Sequence, residues 1–374
     1  MLTTAAAIWG TVGVVMAALG AATAPPTRLE VRTGERLLVV APHPDDETLG
    51  AGGLIQRVLA RRGMVRVVLV TAGDGYVEAV VHETGRPRPR PAEYIAYGER
   101  RLREARLALR ALGGDGIHAE HLLGFPDGGI ESLLAVHWRR SHPERSPTTG
   151  ATETPYANTE HRDWRYDGDD LRAALVRCLR DLRPTLVALP DPLDKHPDHR
   201  GTGLFTLLAV NDWAGERAAR PAAMPRLLAY LVHWPNWPPG WDAKPPLADT
   251  PNALLDLPPT LPERGLGRAM LTLTDAEVAT KARALGEYET QQEEMASLLG
   301  AFVRRTEPFT IFTGAEVRHV GQMIERRTTD EPRATVTVPV VVREQRSGHS
   351  PGTGGGLEDT STPQKCPSAS RAPG

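Results

Sequence analysis

At 374 residues the chain can bury a substantial core without disulfide or metal staples. Its formal net charge is −2, and its 44 basic residues are scattered apart from runs such as ERRLREAR, which argues against nucleic acid as the main partner. The two cysteines, Cys178 in a predicted helix and Cys366 in a Gly/Ser/Pro-rich tail, exclude a disulfide framework and a cysteine-based metal cluster.

The first segment, AAAIWGTVGVVMAALGAATA, is apolar over about the length of a bilayer core and closes on the small-x-small run Ala22-Thr23-Ala24 before two prolines. It reads as a signal peptide or an N-terminal membrane anchor over residues 1–30, although no Lys or Arg precedes it. The expected location is secreted or membrane-anchored and extracytoplasmic, with membrane association through this segment. A cytoplasmic chain is the alternative.

From Arg36 onward strand-like and helix-like runs alternate. RLLVVAP reads as a buried strand, TLGAGGLIQRVLARRG as a helix ending at Gly63, and VRVVLVTAG as a second strand. PAEYIAYGERRLREARLALRALGG follows as a long amphipathic helix, and IHAEHLLGFPDGG as strand and loop. DDLRAALVRCLRDLRP is a helix stopped by Pro184, TLVALPDP a strand, and HRGTGLFTLLAVNDWA a helix. This order predicts an α/β fold of Rossmann-like type: a mostly parallel sheet with helices on both faces and the site at the carboxyl ends of the strands. Residues 31–343 are expected to form one domain.

Two stretches interrupt the alternation. Residues 131–168 are poor in apolar side chains and rich in His, Arg, Thr and Pro, and read as an insertion near the site. WPNWPPGWDAKPPLADTPNALLDLPPTLPE is irregular, its tryptophans being either a sugar-stacking wall or pins for a buried loop. DAEVATKARALGEYETQQEEMASLLGAFVRR resumes as helix, ATVTVPVVV reads as a last edge strand, and residues 344–374 as a disordered tail.

The chemistry concentrates at two strand ends. In APHPDDE, His43 and Asp46 stand three apart where a strand turns into a helix, and in HPDH, His196 and His199 repeat that spacing. Proline followed by acids is also a good helix start, because acids oppose the positive end of the helix dipole. Capping needs no histidines, however, and imidazole plus carboxylate is a usual beginning of a zinc site with three protein ligands and one open position. In a parallel sheet the two strand ends share an edge, so the motifs can meet.

These two motifs resemble the signatures of the zinc-dependent deacetylases of the PIG-L or LmbE-like family, which remove the acetyl group from N-acetylglucosamine-type sugars. The resemblance runs from about Arg36 to Phe312 and includes ERRLREARLALRALG and LLGFPDGG. It implies Zn2+ held by His43, Asp46 and His199, with Asp45 as general base for the metal-bound water. It implies His196 as stabiliser of the oxyanion, its ring oriented by Asp198 or Asp194, and Asp45 or His196 as proton donor to the departing amine. It further implies Arg101 and Asp127 near the sugar, Arg101 having a salt bridge with Glu104 as the plainer alternative. Glu47 reads as a supporting or capping residue, and His118, His121, His137, His142 and His161 as solvated. The expected substrate is an N-acetylated amino sugar in a glycan, glycolipid, thiol precursor or natural product. The alternatives are an amidase cleaving a larger acyl or amide group from an amino-sugar conjugate, and a non-catalytic sugar-binding module. Oligomeric state is open.

Overall fold

The computed structural model describes residues 25–114, 117–159, 163–216, 224–242, 250–262 and 264–329, without the side chains of 118–120 and 327–329. The apolar segment 5–24, the strand expected in ATVTVPVVV, the tail 344–374 and His161 lie outside the described residues. No described helix is long and apolar enough to cross a membrane.

Along the chain run β1 (Thr27–Arg28), β2 (Arg36–Ala41), α1 (Asp46–Ala60), β3 (Met64–Leu69), α2 (Val77–Thr84), α3 (Pro91–Gly113), β4 (Ile117–Leu122) and α4 (Ile130–Ala135). Then follow α5 (Gly168–Leu182), β5 (Leu186–Pro190), α6 (Pro197–Glu216), β6 (Arg226–Tyr230), β7 (Gly267–Thr272), α7 (Asp275–Gly286), α8 (Glu289–Ala301), β8 (Thr306–Phe312) and α9 (Gly314–Thr329). The strands form one sheet in the order β1-β7-β8-β6-β5-β2-β3-β4. Only β8 runs against its neighbours, β6 and β7, so the expected mostly parallel α/β sheet is present.

The alternation within β2 shows why both faces are covered. Leu37, Val39 and Ala41 join a core with α1, α3 and α7, while Leu38 and Val40 join a second core with α5, α6 and α9. A strand buried on both faces reads as a continuous apolar run, as RLLVVA does.

Several elements differ from the sequence reading. Thr27 and Arg28 pair with Ala269 and Met270, so the sheet begins inside the stretch expected to be a leader or anchor. The single late helix is two, broken at Glu287-Tyr288 between α7 and α8. Helices α2 and α9 and strand β7 carried too short or too polar a pattern to be read. The insertion 131–168 is mostly irregular, with one isolated bridge between Glu153 and Arg165, yet it buries Trp138, Tyr156 and Tyr166.

Position follows from topology. From β2 the strand order proceeds through β3 and β4 on one side and through β5 and β6 on the other, a switch point that opens a crevice beyond the carboxyl ends. Helices α1 and α6, which follow β2 and β5, both start there.

Candidate metal centre

The turn after β2 separates two adjacent aspartates. Asp45 is the residue before α1 and adopts φ 125° and ψ −32°, a conformation that L-residues other than glycine rarely take. Its side chain does not cap the helix. Instead its Oδ2 accepts a hydrogen bond from Arg101 Nη2 at 3.1 Å. Asp46, the first residue of α1, places Oδ2 3.0 Å from the His43 backbone nitrogen, 3.2 Å from His43 Nδ1 and 3.1 Å from His199 Nε2. The prolines and acids of APHPDDE thus serve the site more than the cap.

From the other strand end, α6 supplies His199 and Asp198, both completely buried, and the loop before it supplies His196 and Asp194. The His43 and His196 rings lie 4.9 Å apart, and those of His196 and His199 5.2 Å apart. A third strand end adds His233, just beyond β6, whose ring lies 4.7 Å from that of His199. No motif marks His233. Its only sequence signal is that, like His43 and His196, it follows a strand-like apolar run.

Among the described residues, three sets of donor atoms come within 4.8 Å of one another: His43, His196 and His199; Asp46, His199 and His233; and His43, Asp127 and Asp198. The expected trio of His43, Asp46 and His199 is not itself one of these sets, but both histidines converge on the same Asp46 oxygen. His199 has no exposure, and neither ring nitrogen is in hydrogen-bond geometry, although Nδ1 lies 3.3 Å from Asp194 Oδ2. Leaving such a buried polar group unsatisfied costs about 1–3 kcal/mol, so it asks for an explanation, and a coordinated cation provides one. The donor set of imidazoles and carboxylates suits zinc better than calcium or magnesium.

The electrostatics point the same way. Burial would lower the His199 pKa, but the carboxylates of Asp46 and Asp194 outweigh it and lift the imidazole to about 10. That pull measures the negative field a cation would meet. Burial pushes Asp45 up to about 8 against the opposing charge of Arg101. His196 is driven down to about 2, by burial first and then by His43, His199 and His233. His233 falls to about 4, again by burial first and then by His199.

The supporting contacts differ from the sequence reading. Asp198 and Asp194 do not orient the His196 ring with their carboxylates. Asp198 accepts from Gly128 N at 2.7 Å and Ile130 N at 3.0 Å, pinning the GFPDGG loop, and lies 3.3 Å from His43 Nε2. Asp194 accepts from the backbone nitrogens of Val232 and His233. The group on His196 Nδ1 is the Asp198 backbone N–H, at 3.3 Å, which assigns Nδ1 as acceptor and leaves the proton on Nε2.

Arg101 is 4% exposed and does not pair with Glu104, which binds Thr290. Its guanidinium donates to Pro44 O at 2.7 Å, Gly73 O at 2.9 Å and Asp45, so it braces Asp45. Asp127 lies 3.2 Å from His43 Nε2 and accepts from Gly75 N at 2.6 Å. Burial would raise its pKa, but His43 brings it below the usual carboxylate range. Within the insertion, Tyr156 donates to Asp74 at 2.5 Å, and His137 stacks on His142 and contacts Glu144 rather than standing free in solvent.

Residues 38–210 match the family model described as PIG-L: GlcNAc-PI de-N-acetylase. A 1D-myo-inositol 2-acetamido-2-deoxy-alpha-D-glucopyranoside deacetylase of Mycobacterium sp. (strain KMS) is 36% identical over 179 residues, 47% of this chain and 50% of that protein. The namesake from Mycolicibacterium smegmatis is 33% identical over 177 residues, 47% and 53% of the two chains. The chain therefore spans about half the length of the curated relatives it matches. Among solved structures, the N,N'-diacetylchitobiose deacetylase from Pyrococcus horikoshii aligns over 75% of this chain and 85% of that one, with 19% identity and a TM-score of 0.45.

Proposed function

We propose that the protein, whose residues 38–210 match the PIG-L family model, is a zinc-dependent hydrolase that removes the acetyl group from an N-acetylglucosamine-type sugar. The observation that carries this reading is the fully buried His199, with neither nitrogen hydrogen-bonded, facing the carboxylate of Asp46 beside His43. His43, Asp46 and His199 would hold the ion, and His233 is within reach of the same pair.

An amide resists hydrolysis because its carbonyl is resonance-stabilised and its amine leaves poorly. A zinc ion in this site would polarise the carbonyl and make water a nucleophile near neutral pH. Asp45 takes the proton of the attacking water and returns it to the departing nitrogen. Arg101 keeps that carboxylate in place and favours its charged form. His196, neutral and protonated at Nε2, donates to the oxygen that becomes negative as the tetrahedral carbon forms. Asp127 is positioned by Gly75 N to accept from sugar hydroxyls.

The test is acetate release, together with loss of one acetyl mass from N-acetylated amino sugars, by wild type and by Asp45→Asn. The reading requires that chelation abolish release and that the variant lose at least about 100-fold, the usual worth of a general base. Turnover by the metal-free protein, or a variant within about tenfold of wild type, refutes the mechanism.

A further inference from the structure

Holding Asp45 at φ 125° costs about 1–3 kcal/mol, and such a conformation persists only where its surroundings enforce it. The conformation is also what divides the work of the aspartate pair. At ordinary helical angles, successive side chains diverge by about 100° around one axis. At this φ, Asp45 turns to Arg101 while Asp46 turns to His43 and His199.

The enforcing contact comes from Glu47. Its Oε2 accepts the Asp45 backbone N–H at 3.1 Å, and its Oε1 accepts Thr48 Oγ1 at 2.7 Å and the hydroxyl of Tyr288. Glu47 and Tyr288 both have no exposure. Tyr288 stands at the break between α7 and α8, with φ −84° and ψ 66°, and that break is what turns its ring into the start of α1. It lies 78 residues beyond the end of the family match at residue 210. The hydroxyl contributes no acid, base or ligand to the proposed chemistry; it donates to Glu47 and lies 3.3 Å from Thr48 Oγ1, which itself donates to Glu47.

We infer that Tyr288 and Glu47 are positioning residues that act in series: Tyr288 fixes the Glu47 carboxylate, and Glu47 holds the Asp45 backbone in the conformation that presents a base separate from the metal ligands. The inference rests on the deacetylase reading for its kinetic consequence, and not for its structural one. Loss of Glu47 releases the Asp45 N–H, so φ relaxes toward the ordinary helical or extended range and the base leaves its place, while His43, Asp46 and His199 stay.

The experiment compares Glu47→Ala, Glu47→Gln, Tyr288→Phe and the Glu47→Ala/Tyr288→Phe double variant, each zinc-loaded. Metal content is expected to remain at the wild-type level throughout. For Glu47→Ala, kcat is expected to fall about 100-fold with KM within about twofold, a loss typical of a misplaced general base. Tyr288→Phe should lose about tenfold in kcat, and the double variant no more than Glu47→Ala alone, as residues acting in series require. Glu47→Gln should recover most of the rate, since its carbonyl oxygen still accepts from Asp45 N. Crystal structures of Glu47→Ala and Tyr288→Phe provide a readout independent of turnover: Asp45 φ should leave the positive range in the first and shift toward that relaxed value in the second. Asp45 remaining near 125° in both, or kcat within about twofold of wild type in both with only the melting temperature lowered, overturns the inference. If Glu47→Ala does not fold, Tyr288→Phe decides by the same two criteria. A wild type that releases no acetate refutes the deacetylase reading, and the φ comparison still judges this one.

Discussion

Arg101→Met is the most searching perturbation of the site, because Arg101 is buried against Asp45 and bonded to it. Methionine fills similar space but removes hydrogen bonds to Pro44 O, Gly73 O and Asp45 Oδ2. Each carbonyl bond contributes about 1 kcal/mol net, and stripping the partner from a buried charge costs about 3–5 kcal/mol. Asp45 escapes part of that cost by staying protonated, since burial already places it at about 8 with Arg101 present. The expected loss is about 3–5 kcal/mol, read in a urea unfolding curve as a lower midpoint at unchanged slope, or as a fall of roughly 5–10 °C in Tm. Without the guanidinium the Asp45 pKa rises further, so less of the ionised carboxylate is available at pH 7 to accept the water's proton, and on the deacetylase reading acetate release should fall with its pH profile displaced to higher pH. Retained stability within about 1 kcal/mol together with a rise in KM and little change in kcat would show Arg101 to be a substrate contact, and would refute the brace.

Other predictions follow from named contacts. Asp74 sits at about 7, raised by burial and next by Asp127, so the native state keeps a proton that the unfolded chain releases near pH 4. That stabilisation is complete below about pH 4 and is lost as pH rises through about 7. Asp74→Asn, which cannot titrate, should flatten the decline of Tm across this window, and parallel pH profiles would sink the assignment. Gly50 packs against the buried Tyr230 ring, which a Cβ would meet at 2.3 Å, while Tyr230 Oη is held by Val40 O. Gly50→Ala is therefore expected to destabilise by about 3 kcal/mol in urea unfolding. Adding zinc to the metal-free protein should raise stability by about 2.7 kcal/mol at a hundredfold excess over Kd, and His199→Ala should abolish both the gain and the bound metal found by elemental analysis.

The sequence by itself determined the architecture and the chemical centre. Residues 37–41, 67–69 and 186–190 are unbroken apolar runs, as strands covered on both faces are, and the prolines, acids and paired histidines that follow the first and last of them locate the crevice. Local chemistry of this kind is carried by neighbours in the chain, so it is legible in one dimension. The tertiary structure decided what each side chain does there. The positive φ of Asp45 and the placement of Arg101 at its back both depend on contacts between residues far apart in sequence. So do the use of Asp198 to pin the 127–130 loop, the arrival of His233, and the lock of Tyr288 on Glu47. A hydrogen bond between residues 241 positions apart, such as that from Tyr288 to Glu47, leaves no periodicity or spacing in the sequence. It exists only because the sheet brings α1 and the break between α7 and α8 against each other in the folded protein.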